Sequence, residues 1–458
     1  AQEVNPTPIL SRGYSAGQKV WELNGVYMTH TPTLGHDGTL YITMIDGLYA
    51  LDGNTGAQKW KNTNMNRQPI IGPDGTLIVG SGDKKIYFLN PIDGTEIRNF
   101  TTEQNVNTSY NVAVGEDGTL YCGGNPVFAL DSNGTKKWES SGVNGEDPMI
   151  GKNGMVYFTV GAAIKAINGT DGSVIWTRSP TGTLDMILSI GSDGQILVSS
   201  RHASNRYVSA FNGATGQPIY DINTGNRFNG YQVIGLDNSV HVAGGWSGSG
   251  GDGKVFARDK DTGAKKWEFQ GGGHFDGNLA VGADGIVYAI ADSPAKKLYA
   301  LSPSTGAKLW EHAYEGASMR DITIAPNGLL YLTGSSKTYA IATSSLGLAN
   351  SAWPIKYQNA QRTSRWSDPS LHTSIPTNGL VAHFPFHGNA NDASGNDNNG
   401  TVRGPALDNG RYADANGSYL FDGTDDDIAI GDTGFPMGKN ARTVSGWVKL
   451  DANATGDN

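Results

Sequence analysis

A motif of ten or eleven residues recurs along the chain and limits its fold more than any other feature. Its first copy, ALDGNTGAQKW at 50–60, combines an apolar strand end, a turn rich in Asp, Asn and Gly, and a second strand that ends in Trp60. Further copies are ALDSNGTKKW at 129–138, AINGTDGSVIW at 166–176, AFNGATGQPIY at 210–220, ARDKDTGAKKW at 257–267 and ALSPSTGAKLW at 300–310. Repeats with a period of about 20–50 residues are typical of solenoids, propellers and arrays, so this repeat decides the fold class.

A second unit precedes the copies of this motif and consists of an apolar strand, a tight turn and another strand. Asp-Gly and Asn-Gly pairs supply the positive φ that hairpin turns need. The turn pairs are Asp37-Gly38, Asp74-Gly75, Asp117-Gly118, Asn153-Gly154, Asp193-Gly194, Asp237-Asn238, Asp284-Gly285 and Asn327-Gly328. The two units together give eight sets of about forty residues, each with four strands and without helical periodicity. The pattern predicts an all-β fold, an eight-bladed β-propeller of four-stranded blades. A solenoid, or a ring of seven or nine blades, is the alternative.

The two ends of the repeat region predict how the ring closes. Residues 17–21, GQKVW, match the last strand of a set but precede the first complete set. The eighth set, which ends near Ala340, has an irregular last strand. We therefore expect the N-terminal strand to complete the eighth blade, which would remove the free edges of the ring.

The aromatic residues of the motif are predicted to dock neighbouring blades, because each can bury a large apolar area beside a glycine turn. The predicted blade-docking residues are Trp21, Trp60, Trp138, Trp176, Tyr220, Trp267 and Trp310. Over roughly residues 15–360 the units ALDGNTGAQKW and ARDKDTGAKKW resemble the tryptophan-docking repeat of the PQQ-like propeller family, named after pyrroloquinoline quinone. WPIKYQNAQRTS at 353–364 resembles a segment found at an end of such propellers. Blade 2 has Arg98 at the aromatic position, and we expect it to dock less tightly.

The composition changes after the propeller, which we assign to residues 15–354. Residues 355–378 are polar and contain Pro369 and Pro376, so we predict a linker. Residues 379–458 contain segments, at 379–404, 418–430 and 442–450, that resemble the opening strands of the laminin-G-like, concanavalin A-like jelly-roll family. That resemblance implies a partial β-sandwich. We expect it to be the incomplete N-terminal part of such a domain.

Composition and charge limit the partners and cofactors. The chain has 34 Lys and Arg residues against 43 Asp and Glu, a net charge of −9, so nothing indicates nucleic-acid binding. No apolar stretch approaches the ~20 residues of a membrane span, and no export signal is visible in this sequence. The single cysteine, Cys122, excludes the paired-cysteine ring that resemblance to quinone dehydrogenases would imply. We therefore predict no PQQ cofactor.

Candidate ligand-binding residues lie in the loops that enter the inner strands, because these loops vary in length and surround the central channel. Mixed acids, bases and aromatics around a funnel are typical of a ligand site, and solvated loop ends are the alternative interpretation. The predicted channel-mouth residues are His30, Arg67, Tyr110, Asp147, Asp185, Tyr231, His274, Asp276, Arg320 and Asp321. In the second domain the oxygen-rich loops suit calcium, although Asp and Asn also form turns without a metal. The candidate calcium ligands are Asp392, Asp397, Asp422 and Asp425.

Two binding-type folds in tandem, without a catalytic motif, predict a secreted or cell-surface protein that recognises a glycan or a protein. One alternative is a lyase for acidic polysaccharide, in which His30, Tyr110 and Arg67 would supply the base and the neutralising charge. Another is a subunit that self-assembles through exposed strand edges. A third is a scaffold that resembles the propeller lipoprotein of outer-membrane assembly machinery. We predict no catalytic residue for the binding function.

Overall fold

The computed structural model divides the chain into two compact units, Ala1–Thr373 and Ser374–Asn458. The residues that the structure describes are 9–25, 31–102, 112–151, 154–202, 205–223, 232–244, 253–275, 277–315, 318–359, 362–365, 381–382, 384, 389–391, 398–408 and 418–430.

The first unit is an eight-bladed propeller of four-stranded antiparallel sheets, as the repeat predicts. Seven blades are built from four strands that are consecutive in sequence and paired in sequence order. Blades 1 to 4 comprise β2 (Thr33–Leu34), β3 (Thr39–Met44), β4 (Gly47–Asp52), β5 (Gln58–Asn62), β6 (Ile70–Ile71), β7 (Leu77–Gly80), β8 (Lys85–Leu89), β9 (Glu96–Thr101), β10 (Val112–Val114), β11 (Leu120–Cys122), β12 (Val127–Leu130), β13 (Lys136–Ser140), β14 (Glu146–Ile150), β15 (Met155–Val160), β16 (Ala163–Asn168) and β17 (Val174–Arg178). Blades 5 to 8 comprise β18 (Thr183–Ile190), β19 (Gln195–His202), β20 (Asn205–Asn212), β21 (Pro218–Asn223), β22 (Val233–Ile234), β23 (Val240–Gly244), β24 (Lys254–Arg258), β25 (Lys265–Gln270), β26 (Leu279–Val281), β27 (Val287–Ala291), β28 (Lys297–Leu301), β29 (Lys308–Ala313), β30 (Met319–Ile324), β31 (Leu329–Gly334), β32 (Lys337–Ala342) and the N-terminal β1 (Lys19–Asn24).

The eighth blade joins the two ends of the ring. Its sheet order is β1-β32-β31-β30, and Trp21 of β1 stands opposite Ala340 of β32. This is the closure that the sequence predicts. Residues Ile9–Arg12 form a short 3₁₀ turn, and no helix within the described residues is long and apolar enough to cross a membrane.

The burial of each strand follows its place in the blade. Every residue of β3 and of β31 is buried, because both faces of these strands pack against neighbouring blades. The outermost strands are mostly exposed or half-buried instead, as in β5, where only Trp60 is buried and the two residues before it are exposed. The apolar core therefore lies between the blades, in a series of clusters around the ring.

The hairpin turns are stabilised by local hydrogen bonds that the Asp-Gly pairs encode. Asp37 accepts hydrogen bonds from the backbone N–H of Thr39 at 2.9 Å and from its hydroxyl at 2.6 Å, while Gly38 adopts a φ of 79°. Such Asp side chains mimic a backbone turn. Because the strands are antiparallel, these turns and the motif turns lie at one end of the ring, which we call the hairpin face. The loops between blades lie at the opposite end, which we call the connection face.

Each docking aromatic lies on a glycine in the motif turn of the next blade. The ring of Trp60 is 2.6 Å from where a Cβ on Gly94 would stand, and its indole N–H donates to the carbonyl of Pro91 at 2.9 Å. Gly94 also has a φ of 73°, a left-handed conformation that favours glycine. The equivalent pairs are Trp21 on Gly56, Trp138 on Gly172, Trp176 on Gly216, Trp267 on Gly306 and Trp310 on Gly17. The glycine of the motif thus receives the aromatic of the preceding blade.

In blade 2 two residues, Phe100 and Arg98, together take the place of the docking tryptophan. Phe100, two positions after Arg98 on the same face of β9, lies against Gly134 of blade 3. Arg98 donates to the carbonyl of Ser132 at 3.3 Å, in place of the indole N–H, and its guanidinium lies 4.3 Å from the ring centre of Phe88. From Arg98 alone we expected this blade to dock less tightly. That expectation did not include the ring of Phe100. Blade 5 is similar, because Ile222 joins Tyr220 on the glycine of blade 6.

The second unit contains four short strands in its described part. They form two antiparallel pairs, β33 (Gly400–Arg403) with β36 (Asp427–Ile430) and β34 (Ala406–Asp408) with β35 (Ser418–Leu420). Several of their apolar side chains are exposed, with Leu420 at 60%. These strands are compatible with part of a sandwich.

Candidate functional site

A segment that follows the last blade closes the channel at the hairpin face. We call residues 353–365 the closing segment, of which 360 and 361 lie outside the described residues. Its carbonyl groups accept hydrogen bonds from the inner strands of blades 6, 7, 3 and 4. The four hydrogen bonds run from Ile234 N to Trp353 O at 2.7 Å, from Val281 N to Pro354 O at 2.9 Å, from Val114 N to Thr363 O at 3.0 Å and from Ile150 N to Ser364 O at 2.9 Å. The residues predicted to start a linker at 355 therefore lie against the propeller.

The closing segment is held in an unusual backbone conformation. Tyr357, Gln358, Arg362 and Ser364 all have positive φ, between 51° and 74°. Such conformations cost free energy in residues with a Cβ and persist only where the surroundings fix them. The guanidinium of Arg362 lies 4.4 Å from the ring centre of Tyr357, which the ammonium of Lys356 also approaches, at 4.8 Å. Cation–π contacts and backbone bonds thus hold Lys356 in place.

Lys356 brings a positive charge between two blades that lie opposite each other. Its ammonium is 4.0 Å from a carboxylate oxygen of Asp321, in blade 8, and both side chains keep only about 15% of their exposure. Asp321 also accepts hydrogen bonds from the hydroxyl of Thr31, at 2.9 Å, and from the amide N–H of Asn278. Asp147, in blade 4, is half-buried, and the charge of the same ammonium acts on its carboxyl by lowering its pKa. We call Thr31, Asp147, Asn278, Asp321 and Lys356 the channel cluster.

The pKa of the Asp147 carboxyl is raised by its surroundings. Burial raises the pKa of its carboxyl to about 7, against the opposing effect of Lys356, and Glu146 raises it further. The backbone of Asp147 is left-handed, with a φ of 49°. A carboxyl that titrates near neutral pH beside a lysine is typical of functional sites, although ion pairs without a function also occur.

The structure brings together two of the ten predicted channel-mouth residues, Asp147 and Asp321. Arg67 is half-buried in the loop between blades 1 and 2, and Arg320 is exposed at the start of β30. His274 is buried, and its backbone pairs with residues 292 and 293 of its own blade. His30, Tyr110, Tyr231 and Asp276 lie outside the described residues, as does the side chain of Asp185. The pairing of His30 with Tyr110 that a lyase needs is therefore not described.

Sequence reasoning missed three members of the channel cluster: Thr31, Asn278 and Lys356. Thr31 and Asn278 stand four residues before the glycine that opens a hairpin turn, as does Asp147. Asp321 stands four residues before Ala325, which has the same place in its turn. Aligning the inner strands on that glycine would have found them. Lys356 carries no repeat signal, since it reaches the channel through the closing segment.

The predicted calcium site is described only in part. Carboxylate oxygens of Asp422, Asp425 and Asp426 lie within 4.8 Å of one another in the second unit. Asp426 already accepts a hydrogen bond from the backbone N–H of Asp422 at 2.7 Å. Clustered carboxylates have the donor chemistry that calcium prefers. Asp392 and Asp397, the other two predicted ligands, lie outside the described residues.

The cysteine chemistry of a quinone site is not available in this chain. Cys122 is the only cysteine in the sequence, and it is buried in β11. Burial raises the pKa of its thiol well above the usual range, which makes it a poor nucleophile. The residues present do not fit the paired-cysteine ring of quinone dehydrogenases.

A known protein family matches the chain over residues 11–143 and 160–384. The description of that family is outer membrane protein assembly factor BamB. No curated protein matches the sequence.

Several solved structures share the propeller fold. BamB from Moraxella catarrhalis is 16% identical, with a TM-score of 0.53, and the match covers 71% of this chain and 99% of that one. The quinohemoprotein alcohol dehydrogenase ADHIIG from Pseudomonas putida HK5 is 15% identical, with a TM-score of 0.52, over 72% of this chain and 77% of the other. The computationally designed Ika8 protein is 14% identical, with a TM-score of 0.57, over 71% of this chain and 100% of its own. At these identities the likeness concerns the fold alone.

Proposed function

Because this chain belongs to the family described as outer membrane protein assembly factor BamB, we propose that it is a non-catalytic binding protein of the cell exterior or envelope. In this proposal the connection face of the propeller binds a protein partner. The observation that supports it most is the closing segment, which lies across the inner strands at the hairpin face. The irregular loops and the remaining access to the channel then belong to the connection face.

The second unit would add a recognition module to this platform. We propose that residues 379–458 belong to a laminin-G-like jelly roll that contacts a glycan or a protein. The short antiparallel pairs and their exposed apolar side chains, such as Leu420 and Phe421, suit a sandwich sheet that needs a partner. Self-association through such a surface would appear as a particle larger than the monomer in light scattering.

The partner surface can be tested by reversing charge on the connection face. Arg67→Glu and Arg320→Glu are expected to weaken binding of an envelope protein partner about tenfold each, since arginines are frequent hot spots of interfaces. The partner would be isolated by crosslinking to the wild-type protein and its affinity measured by surface plasmon resonance. Lys265→Glu, an exposed change on the hairpin face, serves as the matched control.

Two results would contradict the proposed function. One is an equal loss of affinity in the Lys265→Glu control, which would move the partner to another face. The other is turnover of an acidic polysaccharide that is lost on changing Tyr110 or His30, which would favour the lyase.

Calcium is proposed as a ligand of the acidic turn in the second unit. We expect saturating calcium to raise the melting temperature of this unit, because a ligand at about 100 times its Kd stabilises by about 2.7 kcal/mol. Asp425→Asn should abolish the effect, whereas Asp408→Asn, an exposed change in β34, should keep it. Calorimetric scans with calcium and with a chelator give the measurement. An identical shift in Asp425→Asn would refute this site.

A further inference from the structure

A groove of about 380 Å³ lies on the outer rim of the propeller, between blades 1 and 2. One wall is the end of β5 with the loop that follows it, and the other is the motif turn of blade 2 with the first residue of β9. Every residue that lines the groove belongs to the part of the chain that the structure describes. Its volume is at the lower end of the range for small-molecule sites, about 300–1,000 Å³.

The groove coincides with a short side chain in blade 1. Asn62, two positions after the docking Trp60, donates to the carbonyl of Gly94 at 2.8 Å. In six other blades the position two after that of the docking aromatic has a larger side chain: Leu23, Phe100, Arg178, Ile222, Phe269 and His312. Phe100 and Ile222 lie against the motif glycine of the next blade. A larger side chain at residue 62 would therefore enter the groove.

The two walls of the groove provide both hydrogen-bond donors and acceptors. On the side of blade 1, Lys61 contributes an ammonium group and the exposed Asn64 a side-chain amide. On the side of blade 2, Asp93 accepts two hydrogen bonds from Thr95, which lower the pKa of its carboxyl. Glu96, at the start of β9, adds an exposed carboxylate. The groove thus suits a ligand that can both donate and accept.

The charges of the groove favour a neutral ligand. A cation would meet the ammonium of Lys61, and an anion would meet the carboxylates of Asp93 and Glu96. Met65, which is only 7% exposed, lines the same groove with an apolar side chain. A sugar ring is neutral, its hydroxyl groups both donate and accept hydrogen bonds, and its C–H groups form an apolar face. These properties match both the walls and the apolar lining.

We propose that the groove between blades 1 and 2 binds a neutral sugar, which is either a free mono- or disaccharide or the terminal residue of a glycan. Its hydroxyl groups accept hydrogen bonds from Lys61 and Asn64 and donate to Asp93 and Glu96, while its ring lies against Met65. The site belongs to the propeller rim. It therefore depends neither on the protein partner of the connection face nor on recognition by the second unit.

The test is saturation-transfer-difference NMR on the full chain with glucose, galactose, mannose, N-acetylglucosamine and lactose. Each sugar is added at about 10 mM, which detects a Kd near about 1 mM. We expect at least one of these sugars to bind to the wild-type protein. Cyclohexanol, a six-membered ring with a single hydroxyl group, should not bind, because it leaves most of the polar groups of the walls without a partner.

Two variants and a matched control locate the sugar. Asn62→Phe fills the groove with the side chain that blade 2 has at the same position, and it should lower the affinity at least about tenfold. Glu96→Ala removes an exposed acceptor and should weaken binding about tenfold. Gln58→Phe introduces the same ring at an exposed position of β5 outside the groove and should keep the affinity within about twofold. Circular dichroism melting curves establish that each variant is folded.

Sugar binding that is lost in Asn62→Phe, weakened in Glu96→Ala and kept in Gln58→Phe supports the proposal. Binding of none of the five sugars overturns it. Wild-type affinity in a folded Asn62→Phe or Glu96→Ala variant also overturns it, because the sugar would then bind elsewhere on the chain. Binding of a tetraserine peptide but of no sugar would assign the groove to a peptide instead. Methyl glycosides distinguish the two sources, since a glycan terminus binds in this form and a site for the free sugar does not accept it.

Discussion

Replacing Trp60 with alanine is expected to lower the free energy of unfolding of the propeller by about 3–5 kcal/mol. The change removes the ring that lies on Gly94, the hydrogen bond to Pro91 and the contact with Tyr41, whose ring centre is 5.8 Å away. A cavity of this size between two rigid sheets cannot collapse fully. Chemical unfolding followed by fluorescence and by circular dichroism measures the loss, and Trp267→Ala should behave alike.

Two controls accompany this prediction. Gln58→Ala changes an exposed residue of the same strand, two positions before Trp60, and should cost less than about 0.5 kcal/mol. In blade 2, Phe100→Ala should cost nearly as much as a tryptophan change, and Arg98→Ala clearly less, because Phe100 provides the ring on Gly134. A loss from Arg98→Ala that equals the loss from Trp60→Ala would refute this account of the repeat.

The buried histidine of blade 6 should make the propeller less stable in mild acid. His241 is 0% exposed, neither ring nitrogen has a hydrogen-bond partner, and burial lowers its pKa to about 4. In the unfolded chain the imidazole is protonated as the pH falls below about 6.5. In the folded protein it stays neutral down to about pH 4. The contribution to stability is therefore complete above about pH 6.5 and is lost as the pH falls to about 4, by about 3 kcal/mol in total.

A substitution suggested by the other blades tests this pH dependence. The register places His241 beside Trp267, where five other blades have a tyrosine. Those tyrosines are Tyr41, Tyr121, Tyr157, Tyr288 and Tyr331. His241→Tyr should thus be accepted and should remove about 3 kcal/mol of the difference in unfolding free energy between pH 6.5 and 4. His202→Gln, an exposed change, should leave it intact, and an unchanged slope in His241→Tyr would contradict the prediction.

The ring was predictable because its determinants are local. The turn at Asp37 and Gly38 needs only neighbouring residues, and the glycine before Trp60 recurs at a fixed spacing. Closure by β1 was predictable as well, since GQKVW copies a strand of the repeat. Phe100 was missed for a different reason. The repeat has its aromatic four residues after the glycine, whereas strand alternation also places residue 100 on the same face as residue 98.

The candidate site was less predictable because it depends on contacts between distant parts of the chain. Asp147 and Asp321 lie near the starts of their inner strands, where the sequence indicated the channel, yet nothing local indicated that both approach one lysine. Lys356 comes from the closing segment, whose path over blades 6, 7, 3 and 4 is set by backbone bonds to the inner strands. Backbone bonds of this kind leave no pattern in the sequence. Ligand binding at the channel mouth stays a prediction.

Closure of the ring by β1 has a consequence during protein synthesis. Lys19 of β1 pairs with Ile341, so the first propeller strand to leave the ribosome joins the last one. In the meantime β1 exposes an unpaired edge that could pair with another chain. Its charged side chains Lys19 and Glu22, which form an ion pair at 2.5 Å in the finished blade, oppose such mispairing. Every nascent molecule thus passes through an incomplete ring, and this distant contact makes closure a slow late step.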